Sequence, residues 1–133
     1  MLDTEPLRII LNSHGNILNY HDPQNTLGYG KQGSILIGHS WCDTIVADGD
    51  YQKLRQQCAQ AQQCKDEKFI TLSYKIRTIK NIELLFEFYL QTFSVNNACL
   101  IVFSGFEKSS SKLAHYTPPN NQLFKERLHS LLD

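Results

Sequence analysis

Little in the composition marks a non-globular chain. Only 7 glycines and 4 prolines occur in 133 residues, whereas hydrophobic residues make up 41% and charged residues 20%. Extended disorder and fibrous repeats are excluded, because both need a composition far richer in polar residues, Gly or Pro. A chain of this length predicts one domain, which buries roughly 65–70% of its unfolded surface.

An excess of positive or negative charge is also missing. Thirteen Lys and Arg side chains balance thirteen Asp and Glu side chains, so the formal net charge is zero. Binding to a phosphate backbone needs a basic excess, and we therefore expect no direct contact of this domain with nucleic acid. Zero net charge removes the repulsion between copies, which favours association of the chain with itself or with a partner.

Long apolar runs and regularly spaced cysteines are absent as well. The longest unbroken apolar run spans residues 98–103, whereas a membrane-spanning helix needs roughly 20 residues. The amino terminus, MLDTEPLRII, lacks the charged start and apolar stretch of a signal peptide. The four cysteines form no CxxC pair and are Cys42, Cys58, Cys64 and Cys99. We expect an intracellular protein, nuclear or cytoplasmic, with free thiols, no membrane contact and no metal site.

Motifs of catalysis are likewise missing. The sequence contains no GxSxG, HExxH or P-loop pattern, and Gly28, Gly30 and Gly33 do not form a GxGxxG loop. Cys42 and His39 lie close in sequence, but no third group is in place to orient the histidine as a base. The sequence therefore predicts no enzyme and no catalytic residue.

The first half of the chain predicts a hairpin followed by short helices. Leu7–Leu11 and residues 16–20 are strand-like runs on either side of the turn residues 12–15. Frequent glycine limits residues 21–46 to helices of one or two turns. A longer helix is expected after Asp50, whose carboxylate is a typical N-cap. The apolar face of that helix carries Tyr51, Leu54, Cys58 and Ala61.

The second half predicts three antiparallel strands. They are Phe69–Arg77, residues 82–93 and residues 98–106, and the first two alternate apolar and polar residues over much of their length. The last strand is almost continuously apolar, as expected of a strand that is covered on both faces. The predicted fold class is α+β, a five-stranded antiparallel sheet with short helices and one longer helix on one face.

Four short motifs, in this order, resemble a PAS (Per-Arnt-Sim) domain. They are NSHGNILNY at residues 12–20, LGY at 27–29, LIGHSW at 36–41 and IVADGD at 45–50. The resemblance covers about residues 7–107 and implies the same α+β architecture. Two departures leave that architecture intact: Ala47 and Asp48 replace the usual His-Pro, and residues 79–81 replace the usual Lys-Asp-Gly of a hairpin turn. Asn81 also accepts the positive φ that such a turn requires.

Within the family, the chain is most similar to the second PAS repeat of animal bHLH-PAS transcription factors. The stretches that carry this likeness are LGY, LIGHSWCDTIV and ITLSYKIRT, together with a last strand that lacks the D-[IV]-T-E ending of bacterial sensors. The resemblance implies a non-catalytic dimerisation module of a transcription regulator, whose partner is another PAS-containing protein or itself. The alternative is a sensory PAS domain that relays small-molecule occupancy to a partner, including a bacterial signalling PAS.

Flavin and haem occur in PAS domains, but the residues here favour neither. A photoactive flavin domain needs its cysteine within G-x-N-C-R-F-L-Q, whereas Cys42 lies one place late and the Asn, Arg and Gln are missing. Haem needs a histidine on or beside the long helix that faces the pocket. The predicted long helix has no histidine and His39 precedes it, so we expect no cofactor.

A small-molecule pocket inside the apolar core remains open as a hypothesis. The candidate lining residues come from the concave strand face and the helical side: Trp41, Leu54, Ile70, Leu72, Tyr74, Leu84, Phe86, Phe88, Ile101 and Phe103. The simpler interpretation is that these large side chains pack together as a closed core.

The other face of the strand at residues 82–93 is not fully polar. Leu85, Tyr89 and Phe93 alternate there with Glu87 and Gln91. Exposed apolar patches of this kind usually mark an interface, and PAS domains commonly associate through this outer face. We therefore predict that Leu85, Glu87, Tyr89, Phe93 and Phe69 meet a partner. The alternative is that the amino-terminal segment or the carboxyl-terminal tail covers this face within the chain.

The tail carries one further motif. We expect a single domain over residues 1–111, followed by a tail at 112–133 that contains a short amphipathic helix. Leu128, Leu131 and Leu132 fit an LxxLL pattern, which places three leucines on one side of a helix that can lie in an apolar groove. The alternative is that this helix docks on its own domain or on a neighbouring one.

Overall fold

The computed structural model describes residues 5–44, 56, 69–95, 98–116 and 126–128, of which 42, 43, 69 and 70 are described for the backbone alone. Five strands occur in this part of the chain: β1 Leu7–Leu11, β2 Ile17–His21, β3 Phe69–Arg77, β4 Glu83–Val95 and β5 Ala98–Glu107. Each observed strand agrees with a predicted one to within two residues. The predicted longer helix after Asp50 lies outside the described residues.

The five strands form one antiparallel sheet in the order β2-β1-β5-β4-β3. The ladder between β4 and β5 runs from the pair Phe86–Glu107 to the pair Val95–Ala98. β1 pairs on the free side of β5 and brings the amino-terminal hairpin into the same sheet. The predicted α+β fold with a five-stranded antiparallel sheet is confirmed.

Two turns explain the hairpins that flank the sheet. Asn12 Oδ1 accepts hydrogen bonds from the backbone N–H groups of His14 at 2.9 Å and Asn16 at 3.0 Å, while Gly15 has a φ of +83°. In the β3–β4 turn, Asn81 has a φ of +64°. Asparagine tolerates this left-handed conformation better than most residues, so it stands in for the glycine of the usual turn. That prediction is confirmed.

A bulge in β2 places apolar side chains of this short strand on both faces of the sheet. Ile10 pairs with Asn19 and Leu11 pairs with Ile17, so Leu18 is an extra residue on β2. Ile17 consequently lies in the main core, while Leu18 packs against the apolar cluster on the opposite face. An inserted residue of this kind changes which face the following side chains occupy.

The main core lies on one face of the sheet, which we call the core face. A 3-10 helix, Gly30–Leu36, and one turn of helix, α1 Trp41–Thr44, follow the β1–β2 hairpin. Leu27, Leu36 and Trp41 from this region are buried in the same cluster as the strand residues. The strand residues of the cluster are Leu7, Ile9, Leu11, Ile17, Leu72, Tyr74, Ile76, Phe86, Phe88, Leu90, Ile101 and Phe103.

The opposite face, which we call the outer face, is also largely buried. It carries Arg8, Ile10, Leu85, Glu87, Tyr89, Gln91, Phe93, Val95, Leu100, Val102, Ser104 and Phe106. β5 is therefore buried over residues 100–106 without alternation, as its apolar sequence predicts.

After β5 the chain turns back onto the outer face. Two 3-10 helices, Lys108–Ser110 and Lys112–His115, are separated by Ser111, whose φ of +56° is left-handed. Leu113 is buried, and residues 126–128 are helical with Leu128 buried. We call the described residues 112–116 and 126–128 the C-terminal segment. Leu131 and Leu132 of the LxxLL pattern lie outside the described residues.

Gly105 is the position at which β5 depends most on the absence of a side chain. A Cβ at this position would clash with the backbone carbonyl oxygen of Glu87 and come within 2.5 Å of the Phe88 ring. Both neighbours belong to β4 and are fixed by the sheet ladder. We predict that Gly105→Ala lowers the free energy of unfolding by about 3 kcal/mol, measured by urea denaturation.

Gly38→Ala is the matched control for this change. Gly38 has a φ of +89°, but a Cβ there meets nothing within 4 Å. Its substitution should therefore cost only the backbone strain, about 1 kcal/mol. Equal losses in the two variants would show that β4 and β5 do not approach as closely as described.

Candidate functional site

An aromatic cluster occupies the centre of the core face. The Trp41 ring lies 5.9 Å from the Phe103 ring and 6.3 Å from the rings of Tyr74 and Phe88, measured between centroids. Tyr74 and Phe88 stack at 4.8 Å with an interplanar angle of 16°. Because α1 supplies Trp41 and three strands supply the other rings, this cluster fixes the helical layer to the sheet.

Trp41 brings an unusual polar atom into this cluster. Its side chain has 0% of its surface exposed, and its Nε1 atom has no hydrogen-bond acceptor among the described residues. A buried donor is normally paired, since leaving it without an acceptor costs about 1–3 kcal/mol.

Most of the predicted pocket residues share this core. Trp41, Leu72, Tyr74, Phe86, Phe88, Ile101 and Phe103 are buried there, and Leu84 packs against them while partly exposed. Leu54 lies outside the described residues, and the side chain of Ile70 is likewise outside the description. The assignment of these residues to a ligand pocket stays a prediction.

The outer face is closed at one end by Tyr116. The Tyr116 ring stacks on Tyr89 at 5.9 Å and meets Phe106 edge-on at 5.7 Å, measured between ring centroids. The Tyr116 hydroxyl accepts a hydrogen bond of 3.0 Å from Arg8 Nη2. Arg8 Nε in turn donates to Ser104 Oγ at 3.4 Å, so the guanidinium lies between the sheet and the tyrosine.

The other end of the outer face is closed by Leu128. It is buried in a cluster with Ile10, Phe93, Val95, Leu100 and Val102, and Leu18 packs against the same cluster. Phe93 has only 1% of its surface exposed within the chain. A partner chain can therefore reach Phe93 only if the residues of the same chain that cover it move. Within a single chain, residues of the tail therefore cover part of this face. This is the alternative to a partner chain that the sequence analysis left open.

Gln91 lies between these two closed ends. Its side chain is 4% exposed, and its Oε1 atom accepts no hydrogen bond from the part of the chain that the structure describes. Its neighbours along the same face of β4 are Tyr89, under Tyr116, and Phe93, in the cluster with Leu128. The outer face thus contains a buried acceptor whose hydrogen-bonding capacity is not used by the described residues.

The beginning of β4 leaves the outer face open to solvent. Leu85 is 41% exposed, and Glu87 is partly exposed. Opposite them, β3 contributes Lys75 and Ser73. The side chain of Phe69, the remaining predicted interface residue, lies outside the description. The structure therefore places Leu85, Glu87, Tyr89 and Phe93 on one face, but only the first three retain exposed surface.

The sequence analysis missed Tyr116 as a contact of this face. Tyr116 follows a polar run, KSSSK, and precedes Pro118 and Pro119, so no periodic pattern connects it with a strand or helix. Its partners lie on β1, β4 and β5, far away in sequence. The only available signal was that Tyr116 is the one tyrosine outside the predicted helices and strands in the second half of the chain.

A cleft lies beside β2, which is an edge strand of the sheet. It has a volume of about 350 Å³ and is lined by Asn19, Tyr20, His21, Asp22, Asn25, Gly30, Gly33, Ser34 and Ile37. The Tyr20 hydroxyl donates to Asp22 Oδ2 at 3.1 Å, and the same carboxylate accepts the backbone N–H groups of Thr26 and Leu27. Burial, and then the charge of Asp22, raise the pKa of the Tyr20 phenol far above its usual range. The cleft is therefore polar, and the Asp22 carboxylate is already hydrogen-bonded to the Tyr20 hydroxyl and to the backbone of Thr26 and Leu27.

Two kinds of feature, a cluster of metal-binding side chains and a membrane-spanning helix, are absent from the described residues. Among them, no three side chains of His, Cys, Asp or Glu come close enough together to hold a metal ion. Within the same residues, no helix is long and apolar enough to cross a membrane.

Comparison with known proteins identifies the fold. No known family model and no curated protein matches the chain. Solved structures do match, and one is the PAS domain of an HTR-like protein from Haloarcula marismortui, with a TM-score of 0.64 and 13% identity over 79% of this chain and 88% of that one. A tryptophan-to-alanine variant of Drosophila melanogaster Cycle PAS-B gives a TM-score of 0.63 and 16% identity, over 76% of this chain and 98% of that one.

A bacterial receptor is also similar. The PAS domain of the Cronobacter turicensis quorum-sensing receptor RpfR gives a TM-score of 0.58 and 18% identity, over 80% of this chain and 97% of that one. Archaeal, bacterial and animal PAS domains thus share the architecture of this chain. The element order, the sheet order and these similarities agree that the chain has the PAS fold.

Proposed function

We propose that this PAS-fold domain is a protein–protein interaction module that pairs, through its outer sheet face, with a second PAS domain, including another copy of itself. The observation that carries the proposal is the exposed Leu85 beside the partly exposed Glu87 and Tyr89, next to the part of the face that is apolar and buried. A solvated sheet face should be polar, and an apolar residue that is left open on it favours a contact between chains.

The expected affinity follows from the small area that remains open. Leu85 and the exposed part of Tyr89 offer roughly 150 Å² of apolar surface, worth about 4 kcal/mol before the cost of association. Association itself costs several kcal/mol or more, so this open surface alone leaves at most a weak net affinity. The pair of domains should therefore be held weakly and exchange readily, as suits a regulator that changes partners rather than an obligate oligomer.

The finer assignment is to the second PAS repeat of a bHLH-PAS transcription regulator, acting in the nucleus or cytoplasm without catalysis. Two observations support it: the motifs LGY and LIGHSW, and the similarity to Cycle PAS-B, of which this chain covers 98% or more in two structures. Motifs of catalysis are missing from the sequence.

Leu85→Glu tests the interface directly. The substitution replaces apolar surface in the middle of the proposed contact by a carboxylate, which loses its water on association even though Lys75 lies opposite on β3. We expect the dissociation constant for self-association, measured by sedimentation equilibrium, to rise about tenfold or more. The melting temperature should change little, because Leu85 is exposed in the single chain.

Ile82→Glu is the matched control. Ile82 is 55% exposed and lies in the β3–β4 turn directly before β4, where its backbone is hydrogen-bonded to Thr78. The same replacement of an apolar side chain by a carboxylate at this position should leave the dissociation constant for self-association unaltered. If both variants associate as tightly as the unmodified chain, the interface lies elsewhere and the proposal is wrong.

A sensory function is the second candidate, and one observation favours it. The buried Trp41 Nε1 lacks an acceptor among the described residues, at the centre of the predicted pocket. Two of the similar structures are the RpfR PAS domain in complex with BDSF and with the C12:0 fatty acid. An apolar molecule with one acceptor atom would satisfy both the ring cluster and the indole N–H.

Dodecanoic acid, which is the C12:0 fatty acid, is the probe for this candidate. A ligand that binds only the folded state at about 100 times its dissociation constant adds about 2.7 kcal/mol. For a domain of this size we then expect a melting temperature higher by about 8 °C, measured by differential scanning fluorimetry.

Trp41→Phe separates a specific effect from a general one. It removes the indole N–H and keeps an aromatic ring, so the gain in melting temperature should be smaller than in the unmodified chain. No gain in either protein, or the same gain in both, would reject the sensory candidate as described.

A further inference from the structure

β2 is an edge strand, and the side of it that lies away from β1 is paired only at its beginning. The sheet order places no strand on that side. Among the described residues, pairing there is confined to the start of β2, where the Ile17 N–H donates to the His39 carbonyl oxygen at 2.8 Å and the Ile17 carbonyl oxygen accepts the Gly38 N–H at 2.7 Å. The rest of β2 therefore presents a short edge to which an extended segment can add.

The ladder between β1 and β2 identifies the backbone groups that point to this edge. The Asn12 N–H donates to the Asn16 carbonyl oxygen and so points towards β2. Along a strand these groups alternate in direction, so Ile9, three residues earlier, points its N–H and C=O towards β5. Tyr20 is the partner of Ile9 in the ladder. This pair exchanges no hydrogen bonds, and the N–H and C=O of Tyr20 therefore point away from β1, towards the edge.

A cleft lies on each face of the sheet at this edge. The cleft of about 350 Å³ beside β2 lies on the core face, where Tyr20 packs against the main core, and we call it the core-face cleft. A cleft of about 300 Å³, the outer-face cleft, lies on the other side, beside Ile10 and Leu128. Residues 19–21 line both clefts. A strand added to β2 would direct successive side chains alternately into the two clefts.

The two clefts differ in charge. Arg8 and Arg127 line the outer-face cleft, and no Asp or Glu side chain is among its described lining residues. His21 also lines it, but its Nε2 atom lies 3.3 Å from Glu5 Oε2, so the positive charge comes chiefly from the two arginines. The core-face cleft contains the Asp22 carboxylate instead, with no Lys or Arg among its described lining residues. An acidic side chain is therefore favoured on the outer face and disfavoured on the core face.

We propose that the edge of β2 binds an extended peptide segment of a partner protein by antiparallel strand addition, with acidic residues at alternate positions in the outer-face cleft. The residue between the two acids lies opposite Tyr20, exchanges hydrogen bonds with its backbone N–H and C=O, and places its side chain in the core-face cleft. This edge is separate from the exposed surface around Leu85, and the inference does not depend on the pairing proposed for that surface.

Two synthetic peptides of identical composition test the alternation. In acetyl-TVETETV-amide both glutamates project from one side of an extended chain, whereas in acetyl-TVEETTV-amide they project from opposite sides. We expect the first peptide to bind the full-length chain about fivefold more tightly, measured by NMR titration of the isotope-labelled protein. The difference should shrink as salt is added, because exposed charges are screened. Equal affinities, tighter binding of the second peptide, or no binding of either would overturn the proposal.

Hydrogen exchange at Tyr20 tests the backbone contact. The next pair of the ladder, Arg8 and His21, is of the kind that exchanges hydrogen bonds, so the His21 N–H already bonds to β1. Saturation with acetyl-TVETETV-amide should slow the exchange of the Tyr20 N–H about tenfold or more and leave that of His21 unaltered. Unaltered exchange at Tyr20 in the presence of bound peptide would reject strand addition.

Arg127→Glu reverses one charge of the outer-face cleft, and Lys80→Glu is its matched control. Both side chains are exposed, so neither variant should fail to fold. Lys80 lies in the β3–β4 turn, at the opposite edge of the sheet, beyond the distance over which salt screens exposed charges. Arg127→Glu should weaken the binding of acetyl-TVETETV-amide about fivefold or more, and Lys80→Glu should not. The same effect in both variants, or none in either, would contradict the proposal.

A second copy of the chain is the competing occupant of this edge, and dilution distinguishes the two. Without peptide, the chemical shift of the Tyr20 amide should not depend on the concentration of the chain. A dependence at Tyr20 would show that the edge pairs with another copy, and the peptide proposal would be wrong. A dependence at Leu85 alone would support the proposed pairing of domains and leave Tyr20 available for the peptide, as expected.

Discussion

The ladder between β4 and β5 is the contact on which the rest of the structure depends. It extends from Phe86 and Glu107 to Val95 and Ala98 and fixes which residues of both strands share a face. Its close approach at Gly105 leaves no space for a side chain. The pairing register of β4 and β5 therefore determines which residues form the core face and which form the outer face. The aromatic core around Trp41 forms on one side, and the face with Leu85 and Tyr89 forms on the other.

The apolar residues on the two faces of the sheet are covered in different ways. Residues from many elements cover the core face, and the rings around Trp41 interlock with those of the sheet. The outer face depends on a few side chains of the C-terminal segment, chiefly Tyr116 and Leu128. Among the described residues, this cover supplies no hydrogen-bond donor to the buried Oε1 atom of Gln91. The proposed pairing through the outer face rests on this difference between the two faces.

Local patterns were enough to predict the fold and both faces of β4. Alternation over residues 82–93, the apolar run of β5 and the turn residues Gly15 and Asn81 depend only on neighbours in sequence. The contacts of Tyr116 could not be predicted in this way, because a single aromatic residue in a polar segment has no period. Trp41 Nε1 and Gln91 Oε1 have no hydrogen-bond partner among the described residues, and this depends on which distant residues surround them, so only the three-dimensional structure reveals it.

The central claim is that chains meet through the outer face. Its most direct measurement is a dilution series of backbone amide NMR spectra, in which residues at the contact change chemical shift with concentration. The account predicts changes at Leu85, Glu87 and Tyr89, and none at the exposed Ile35 and Ile37, in and directly after the 3-10 helix Gly30–Leu36. Changes confined to Ile35 and Ile37 would contradict it.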